Sequence, residues 1–195
     1  MTGIAVLLFD GVEELDFAGP WEVLAAWSQQ WPEDDISVFT IATKPGPIHC
    51  AKGLQVIAEH AKDAAPPFDL LIFPGGRGTR PLLEDAAMIE WVRAQAQRGA
   101  TIASVCTGAL VLAKAGLLDG KPATTHHGSL ELLASLGDRI EVRPDDRFVD
   151  NGKVLTAAGV SAGIDLALHL VARMTSVERA KQVRRYIQYD PAPPV

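Results

Sequence analysis

The sequence has few cysteines and no excess of basic residues. Its 195 residues include only two cysteines, Cys50 and Cys106, which are too few for a disulfide framework or a zinc ligand set. The formal net charge of −6 provides no basic surface for neutralising phosphates, so we expect neither nucleic acid nor membrane as a partner. The apolar run Met1–Phe9 is too short to span a bilayer and has no basic region before it. We therefore expect a buried strand there, in a cytoplasmic protein.

Short apolar runs alternate with longer segments of helical periodicity, and no linker, repeat or low-complexity region divides the chain. The composition, 48% hydrophobic and 22% charged, is that of an ordinary globular protein, and we expect one domain over residues 1–195. The main predicted strands are Gly3–Phe9, Ile36–Ala42, Leu70–Phe73, Thr101–Val105 and Val154–Ala157. The main predicted helices are Leu15–Gln29, Glu84–Arg98, Gly108–Ala115, Ala162–Met174 and Val177–Tyr189.

This order predicts an α/β fold with a mainly parallel sheet. Runs without polar alternation, such as Ile4–Phe9 and Leu70–Phe73, are typical of strands covered by helices on both faces, which gives a doubly wound three-layer sandwich. The segment Lys44–His60 predicts an antiparallel hairpin outside the main sheet. Shorter strands are predicted at Ala123–Thr125, near Ile140–Val142 and at Phe148–Val149.

The segment around Cys106 has the pattern of a nucleophile elbow. The strand Thr101–Val105 stops at Cys106 and passes through Thr107 and Gly108 into an Ala/Leu-rich helix. A helix N-terminus offers N–H groups and a positive dipole end, so we expect the pKa of the thiol to fall from about 8.5 into the range of roughly 3.5–7.5. The alternative is that Cys106 is a small buried hydrophobic residue, the commonest fate of a free cysteine.

Two further segments follow predicted strands and are expected at the same edge of the sheet. Asp16, after the first strand, is a candidate acid or base partner of the thiol if burial raises its pKa, although for such an aspartate taken alone a helix cap is the commoner explanation. The turn Pro74–Gly78 includes Gly75, Gly76 and Arg77, and its N–H groups could form an oxyanion hole or simply a flexible turn.

Three weaker signals accompany these. His126 and His127 follow a short predicted strand, so one of them is a candidate base or pocket residue near Cys106. Gly159–Gly163 could shape a pocket wall or allow close helix packing. Cys50 lies beside His49 but lacks further metal ligands nearby, and we treat it as non-catalytic.

Four motifs together resemble the ThiJ/PfpI superfamily, and within it the isonitrile hydratases. They are LDFAGP at Leu15–Pro20, FPGGRG at Phe73–Gly78, the segment Ser104–His127 and GVSAGIDLAL at Gly159–Leu168, and the resemblance extends to the ending Gln188–Val195. It implies a flavodoxin-like fold related to class I glutamine amidotransferases, a homodimer, and a nucleophilic cysteine at position 106.

The resemblance also implies roles for the neighbours of the cysteine. Asp16 stands where the family places its acidic partner, Thr107 where the hydratases have a functional threonine, and Gly76 where an oxyanion donor lies. The protease-like branch has histidine after the cysteine, so Thr107 argues against peptidase activity. His127 departs from the tryptophan expected in isonitrile hydratases and leaves the substrate open.

These features predict hydration of a small isonitrile to an N-substituted formamide, with no metal or organic cofactor. Cys106 attacks the terminal carbon, and Asp16, Thr107 and the turn at Gly76 assist. One alternative is a glyoxalase- or hydratase-type reaction on a small reactive carbonyl compound. Another is a ligand- or redox-sensing domain like that of AraC-type regulators. The length of the sequence argues against a regulator, because it leaves no room for a helix-turn-helix pair.

Overall fold

The computed structural model describes residues 1–191, so the last part of the predicted family-like ending, residues 192–195, lies outside the described residues. The strands are Thr2–Leu8 (β1), Ile36–Ala42 (β2), Ile48–His49 (β3), Gln55–Val56 (β4), His60–Ala61 (β5), Leu70–Phe73 (β6), Thr101–Val105 (β7), Pro122–Ala123 (β8), Glu141–Val142 (β9), Phe148–Asp150 (β10) and Val154–Ala157 (β11). The helices are Glu14–Gln30 (α1), Thr79–Leu82 (α2), Ala86–Gln97 (α3), Gly108–Lys114 (α4), Leu130–Leu136 (α5), Ala162–Met174 (α6) and Val177–Tyr186 (α7).

The main sheet has seven strands in the order β10-β11-β7-β6-β1-β2-β5. Every neighbouring pair is parallel except β10 with β11. Without the two edge strands, the order is that of the flavodoxin-like doubly wound fold. The predicted fold class is confirmed.

Helices cover both faces of this sheet. Helices α1, α6 and α7 pack together in one layer, and α2 to α5 form the other. The runs Ile4–Leu8 and Leu70–Phe73 are buried throughout, as expected for strands with a helical layer on each side. Among residues 1–191, no helix is both long and apolar enough to cross a bilayer.

The predicted hairpin is present, because β3 and β4 pair antiparallel outside the main sheet. Two details differ from the predictions. His60, expected in the hairpin, instead opens β5 at the edge of the main sheet. The short strand predicted at Ala123–Thr125 is Pro122–Ala123, and it pairs with β9 outside the main sheet.

The order of the strands places a crevice at the carboxyl edge of the sheet. The chain leaves β1 towards β2 and leaves the adjacent β6 in the opposite direction, towards β7. Open α/β sheets bind their ligands at such a switch point. The segments after β1, β6 and β7, which carry Asp16, Gly75 and Cys106, all begin at this edge.

Candidate active site

Cys106 occupies a left-handed turn between β7 and α4. Its φ is +57°, an uncommon backbone conformation for a residue other than glycine. The N–H of Cys106 donates to the carbonyls of Ala157 (3.1 Å) and Ala158 (2.9 Å), and the Thr125 hydroxyl donates to the carbonyl of Cys106 (2.7 Å). These bonds fix both sides of the residue, while only 5% of Cys106 is exposed. The backbone has the form of the predicted nucleophile elbow.

Asp16 lies in the first turn of α1 and is completely buried. Its Oδ2 accepts the N–H of Gly75 (2.9 Å), and its Oδ1 has no hydrogen-bond partner among residues 1–191. Burial raises the pKa of this carboxyl to about 7, although hydrogen bonds from Gly75 and Cys106 oppose the shift. The carboxyl therefore lies beside the thiol and changes its protonation near neutral pH.

The pKa of the Cys106 thiol is also raised. Burial is the main cause and the neighbouring Asp16 adds to it, so the pKa reaches about 12. The backbone N–H groups of Thr107 and Val160 donate to the sulfur and oppose this shift. The predicted low pKa is wrong, because the start of the short helix α4 does not offset burial next to a carboxyl group. Around pH 7 the resting cysteine is a thiol.

Thr107 connects the elbow to the turn that follows β6. Its Oγ1 accepts the N–H of Gly76 (2.9 Å) and lies 3.1 Å from the hydroxyl of Thr79. The N–H groups of Gly75 and Gly76 are thus bonded to Asp16 and Thr107. They do not form the open pair of oxyanion donors that the sequence suggested.

Two glycines allow the β6 turn and the elbow to touch. A Cβ atom on Gly75 would lie 2.5 Å from the backbone nitrogen of Thr107 and 2.8 Å from Oδ2 of Asp16. A Cβ on Gly108 would lie 2.3 Å from the carbonyl oxygen of Phe73. Both positions require glycine, because a side chain there would collide with the neighbouring backbone, and their predicted pocket roles stay predictions.

The three other predicted pocket residues are not bonded to the thiol. Arg77 is exposed, and its side chain packs against Gly11. The rings of His126 and His127 stack with centroids 4.2 Å apart. His126 Nδ1 accepts the N–H of Gly128 (3.1 Å), and burial followed by the neighbouring His127 lowers the pKa of His126. Within residues 1–191, neither imidazole forms a hydrogen bond with Cys106, and their predicted roles stay predictions.

The sequence interpretation missed the role of Val160. This residue follows β11 and has a φ of +48°, which is unfavourable for a β-branched side chain, and its N–H donates to the Cys106 sulfur. The sequence predicts only that the segment Gly159–Gly163 shapes a pocket wall or allows close helix packing. No residue type in this segment predicts a left-handed backbone conformation at Val160. That conformation depends on how β11, α6 and the elbow pack together.

Cys50, the second cysteine, is buried in the hairpin region beside the loop after β1. Burial, with Glu14 and Asp10 nearby, raises the pKa of its thiol. In the described part of the chain, no three His, Cys, Asp or Glu side chains come together as metal ligands. Within these residues, Cys50 is therefore not part of a metal site.

Comparison with known proteins places the chain in a family. The sequence model of the DJ-1/PfpI family matches residues 2–173. The chain belongs to the DJ-1/PfpI family. The resemblance to the ThiJ/PfpI superfamily, its other name, is thereby confirmed.

Proteins similar to this chain differ in the functions that their names give. The isonitrile hydratase of Pseudomonas putida is 40% identical over 191 residues, which is 98% of this chain and 80% of the hydratase. The HTH-type transcriptional regulator CdhR of Pseudomonas aeruginosa is 29% identical over 181 residues, 91% of this chain but 52% of the regulator. Membership in the family therefore leaves the reaction of this chain to be argued from its site.

The fold is also that of solved structures in the family. The crystal structure of a ThiJ/PfpI family protein from Pseudomonas syringae superimposes with a TM-score of 0.88 at 29% identity. The alignment covers 100% of this chain and 77% of that protein. The sheet and the helices that position Asp16, Gly75 and Cys106 thus form a family scaffold.

Proposed function

We propose that this protein is a cysteine-dependent hydratase that adds water to a small isonitrile and releases an N-substituted formamide. The observation that carries the proposal is the buried Asp16 beside Cys106, with a pKa raised to about 7. A thiol beside a carboxyl group with a pKa of about 7 can supply both the sulfur and the proton that add to one carbon atom. The 40% identity with an isonitrile hydratase supports the same choice.

The first step uses the form of the site with one proton on the Cys106–Asp16 pair. In the reactive arrangement Asp16 holds that proton, and the thiolate accepts the N–H groups of Thr107 and Val160. The sulfur bonds to the terminal carbon of the isonitrile as Asp16 transfers its proton to that carbon. The product is a thioimidate on Cys106, and Asp16 is left as a carboxylate.

The second step consumes one water molecule. Its oxygen bonds to the thioimidate carbon, one of its protons reaches the nitrogen, and the other returns to Asp16 as the carbonyl forms. In the same step the carbon–sulfur bond breaks and its electron pair stays on Cys106. The formamide leaves, and the pair again holds one proton. Both water protons are accounted for, and no oxidant or reductant is needed.

Thr107 supports addition rather than peptide cleavage. A cysteine peptidase needs a base that takes the thiol proton and later returns it to the leaving amine. The residue after Cys106 is threonine, and its hydroxyl accepts the N–H of Gly76, which aligns the turn above the elbow. We therefore infer that Thr107 positions the reacting group and that the protein is not a peptidase.

The test is to incubate the purified protein with cyclohexyl isocyanide and to follow formation of the formamide. We expect Cys106→Ala and Asp16→Asn to abolish turnover and Thr107→Val to lower it by about 10- to 100-fold. Cys50→Ala is the matched control, because it removes a buried thiol that has no role in the proposed mechanism.

Two outcomes contradict the proposal: no turnover by the wild-type protein, or turnover that survives Cys106→Ala. A parallel assay for conversion of methylglyoxal to lactate tests the alternative reaction on a reactive carbonyl compound. Absence of both activities, with ready oxidation of Cys106 by mild peroxide in mass spectrometry, would favour a sensing domain.

A further inference from the structure

Arg147, which lies before β10, contacts the chain on both sides of Val160. Its carbonyl accepts the N–H of Ala158 (2.9 Å). Its guanidinium donates to the Ser161 hydroxyl (3.4 and 3.5 Å) and through Nε to Oδ2 of Asp165 (2.9 Å). One residue thus links the end of β11 to the first turn of α6, and Val160 lies between the two attachment points.

Val160 needs such support. A β-branched residue with a φ of +48° is held in a conformation that persists only where the surrounding structure fixes it. The first turn of α6 supplies part of this, since the N–H of Ala162 donates to the Gly159 carbonyl (3.1 Å). Arg147 is the side chain that joins this turn to the neighbouring segment.

The position of Val160 matters at the sulfur. The carbonyl of Ala158 accepts the N–H of Cys106 (2.9 Å), and the N–H of Ala158 donates to the backbone carbonyl of Arg147. The N–H of Val160, two residues further on, also acts on the thiol, because it helps to lower the pKa of Cys106. A small change in the turn would move the donor to the sulfur and the acceptor that anchors the elbow together.

We infer that Arg147 is a positioning residue that holds the turn Ala158–Ser161, and with it the N–H of Val160, against the Cys106 elbow. Asp165 completes the arrangement, because it binds Arg147 through one oxygen and accepts the Tyr189 phenol (3.0 Å) through the other. The consequence for turnover rests on the proposed function, whereas the consequence for the thiol does not.

A purely structural role predicts a different result. The side chain of Arg147 is 51% exposed, and ion pairs at such positions contribute little to stability. We therefore expect Arg147→Ala to leave the thermal unfolding midpoint nearly unchanged and to act on the thiol.

The experiment measures alkylation of Cys106 by iodoacetamide at a fixed pH near 8.5, in a Cys50→Ala background, by intact-protein mass spectrometry. Below the pKa of a thiol, the alkylation rate follows the small thiolate fraction, so loss of one hydrogen bond to the thiolate slows it by about five-fold. We expect that decrease in Arg147→Ala. Arg147→Lys should recover part of the rate, because an ammonium reaches Asp165 but does not also fork to Ser161.

Arg143→Ala is the matched control. Arg143 is 47% exposed, forms an ion pair with Glu141, and also bonds through its backbone to a neighbouring segment. In Arg143→Ala, the alkylation rate of Cys106 should equal that of the Cys50→Ala parent. An unchanged or faster rate in Arg147→Ala would overturn the inference, and so would an equal decrease in Arg143→Ala.

The two proposals fail separately. If alkylation slows in Arg147→Ala and the wild-type protein does not hydrate isonitriles, the proposed function is wrong and Arg147 still positions the thiol environment. If isonitriles are hydrated and alkylation is the same in all variants, the role of Arg147 is wrong and the proposed function stands.

Discussion

The raised pKa of Asp16 lowers the free energy of unfolding at neutral pH. In the unfolded chain the ordinary pKa of the carboxyl is 3.8, and in the fold burial raises it to about 7. Between these values the folded protein binds the proton that the unfolded chain has released. The free energy of unfolding therefore falls as pH rises from about 4 to about 7, and the loss persists at higher pH.

Replacing Asp16 with the isosteric asparagine should remove this loss. Relative to wild type, we expect Asp16→Asn to gain stability as pH increases from 4 to 8, by an amount on the order of 4 kcal/mol as an upper limit. Urea unfolding across this range measures it. The exposed Asp145→Asn serves as control, and equal pH profiles for Asp16→Asn and wild type would contradict the buried-carboxyl argument.

The same pair predicts the pH dependence of the proposed reaction. With one proton on the pair, the site can form a thiolate and a protonated Asp16, whereas the doubly protonated form has no thiolate. We expect kcat/KM for cyclohexyl isocyanide to decrease as pH falls through about 7, the pKa of Asp16. Initial rates between pH 5.5 and 9, corrected for uncatalysed hydrolysis, provide the measurement. A rate that rises below pH 7 would mean that the productive form carries both protons.

At the residue scale, the sequence predicted which residues lie close together better than it predicted their pKa values and backbone conformations. Asp16, Gly75 and Cys106 could be placed together because each follows a strand of one parallel sheet. The direction of the Cys106 pKa could not be predicted, since it depends on how completely the elbow is covered. The conformation of Val160 also depends on packing between segments distant in sequence.

At the element scale, predictability follows the strength of the pattern. The bounds of β2, β6, β7, β11 and α6 match the predictions, because each strand is a short run rich in apolar and β-branched residues and α6 is a full helical repeat between clear end signals. The helix Leu130–Leu136 was missed, and the two-residue strand β5 was assigned to the hairpin. Elements of two residues carry no periodicity, and only their pairing partners define them.

Gly108 tests how closely the elbow helix approaches the sheet. In a free helix, alanine in place of glycine stabilises by about 1 kcal/mol. Here its Cβ would meet the Phe73 carbonyl at 2.3 Å and that of Pro74 at 2.8 Å, both rigid backbone atoms. We expect Gly108→Ala to destabilise by more than about 2 kcal/mol, as judged by urea unfolding.

Gly128→Ala provides the comparison for this substitution. Its Cβ would make only ordinary contacts, the nearest at 3.4 Å from Nδ1 of His126. If Gly108→Ala proves as stable as wild type, the β6 turn and the elbow are less tightly packed than the structure indicates.

At the scale of the whole molecule, the hairpin excursion leaves apolar side chains on the surface. Leu54 and Ile57 are exposed there, and Leu15 is exposed at the start of α1. The segments that carry these side chains are in contact, because Glu14 accepts the N–H of Lys52 (2.7 Å) and Val12 accepts that of Ala51 (2.8 Å). We expect this patch of Leu15, Leu54 and Ile57 to contribute to the homodimer interface that the family resemblance implies.

Sedimentation equilibrium should then give a mass twice the 20.8 kDa of one chain. A charge on the patch opposes burial in an interface, so Ile57→Glu, at a position 74% exposed, should shift the protein towards monomer without unfolding it. Val177→Glu, at an exposed apolar position on α7, is the control and should remain dimeric.

A monomeric wild type would contradict the homodimer, whereas a dimer that tolerates Ile57→Glu would place the interface elsewhere. Because the patch borders the loop that leads to Asp16, loss of turnover on dilution would further show that dimerisation supports the site.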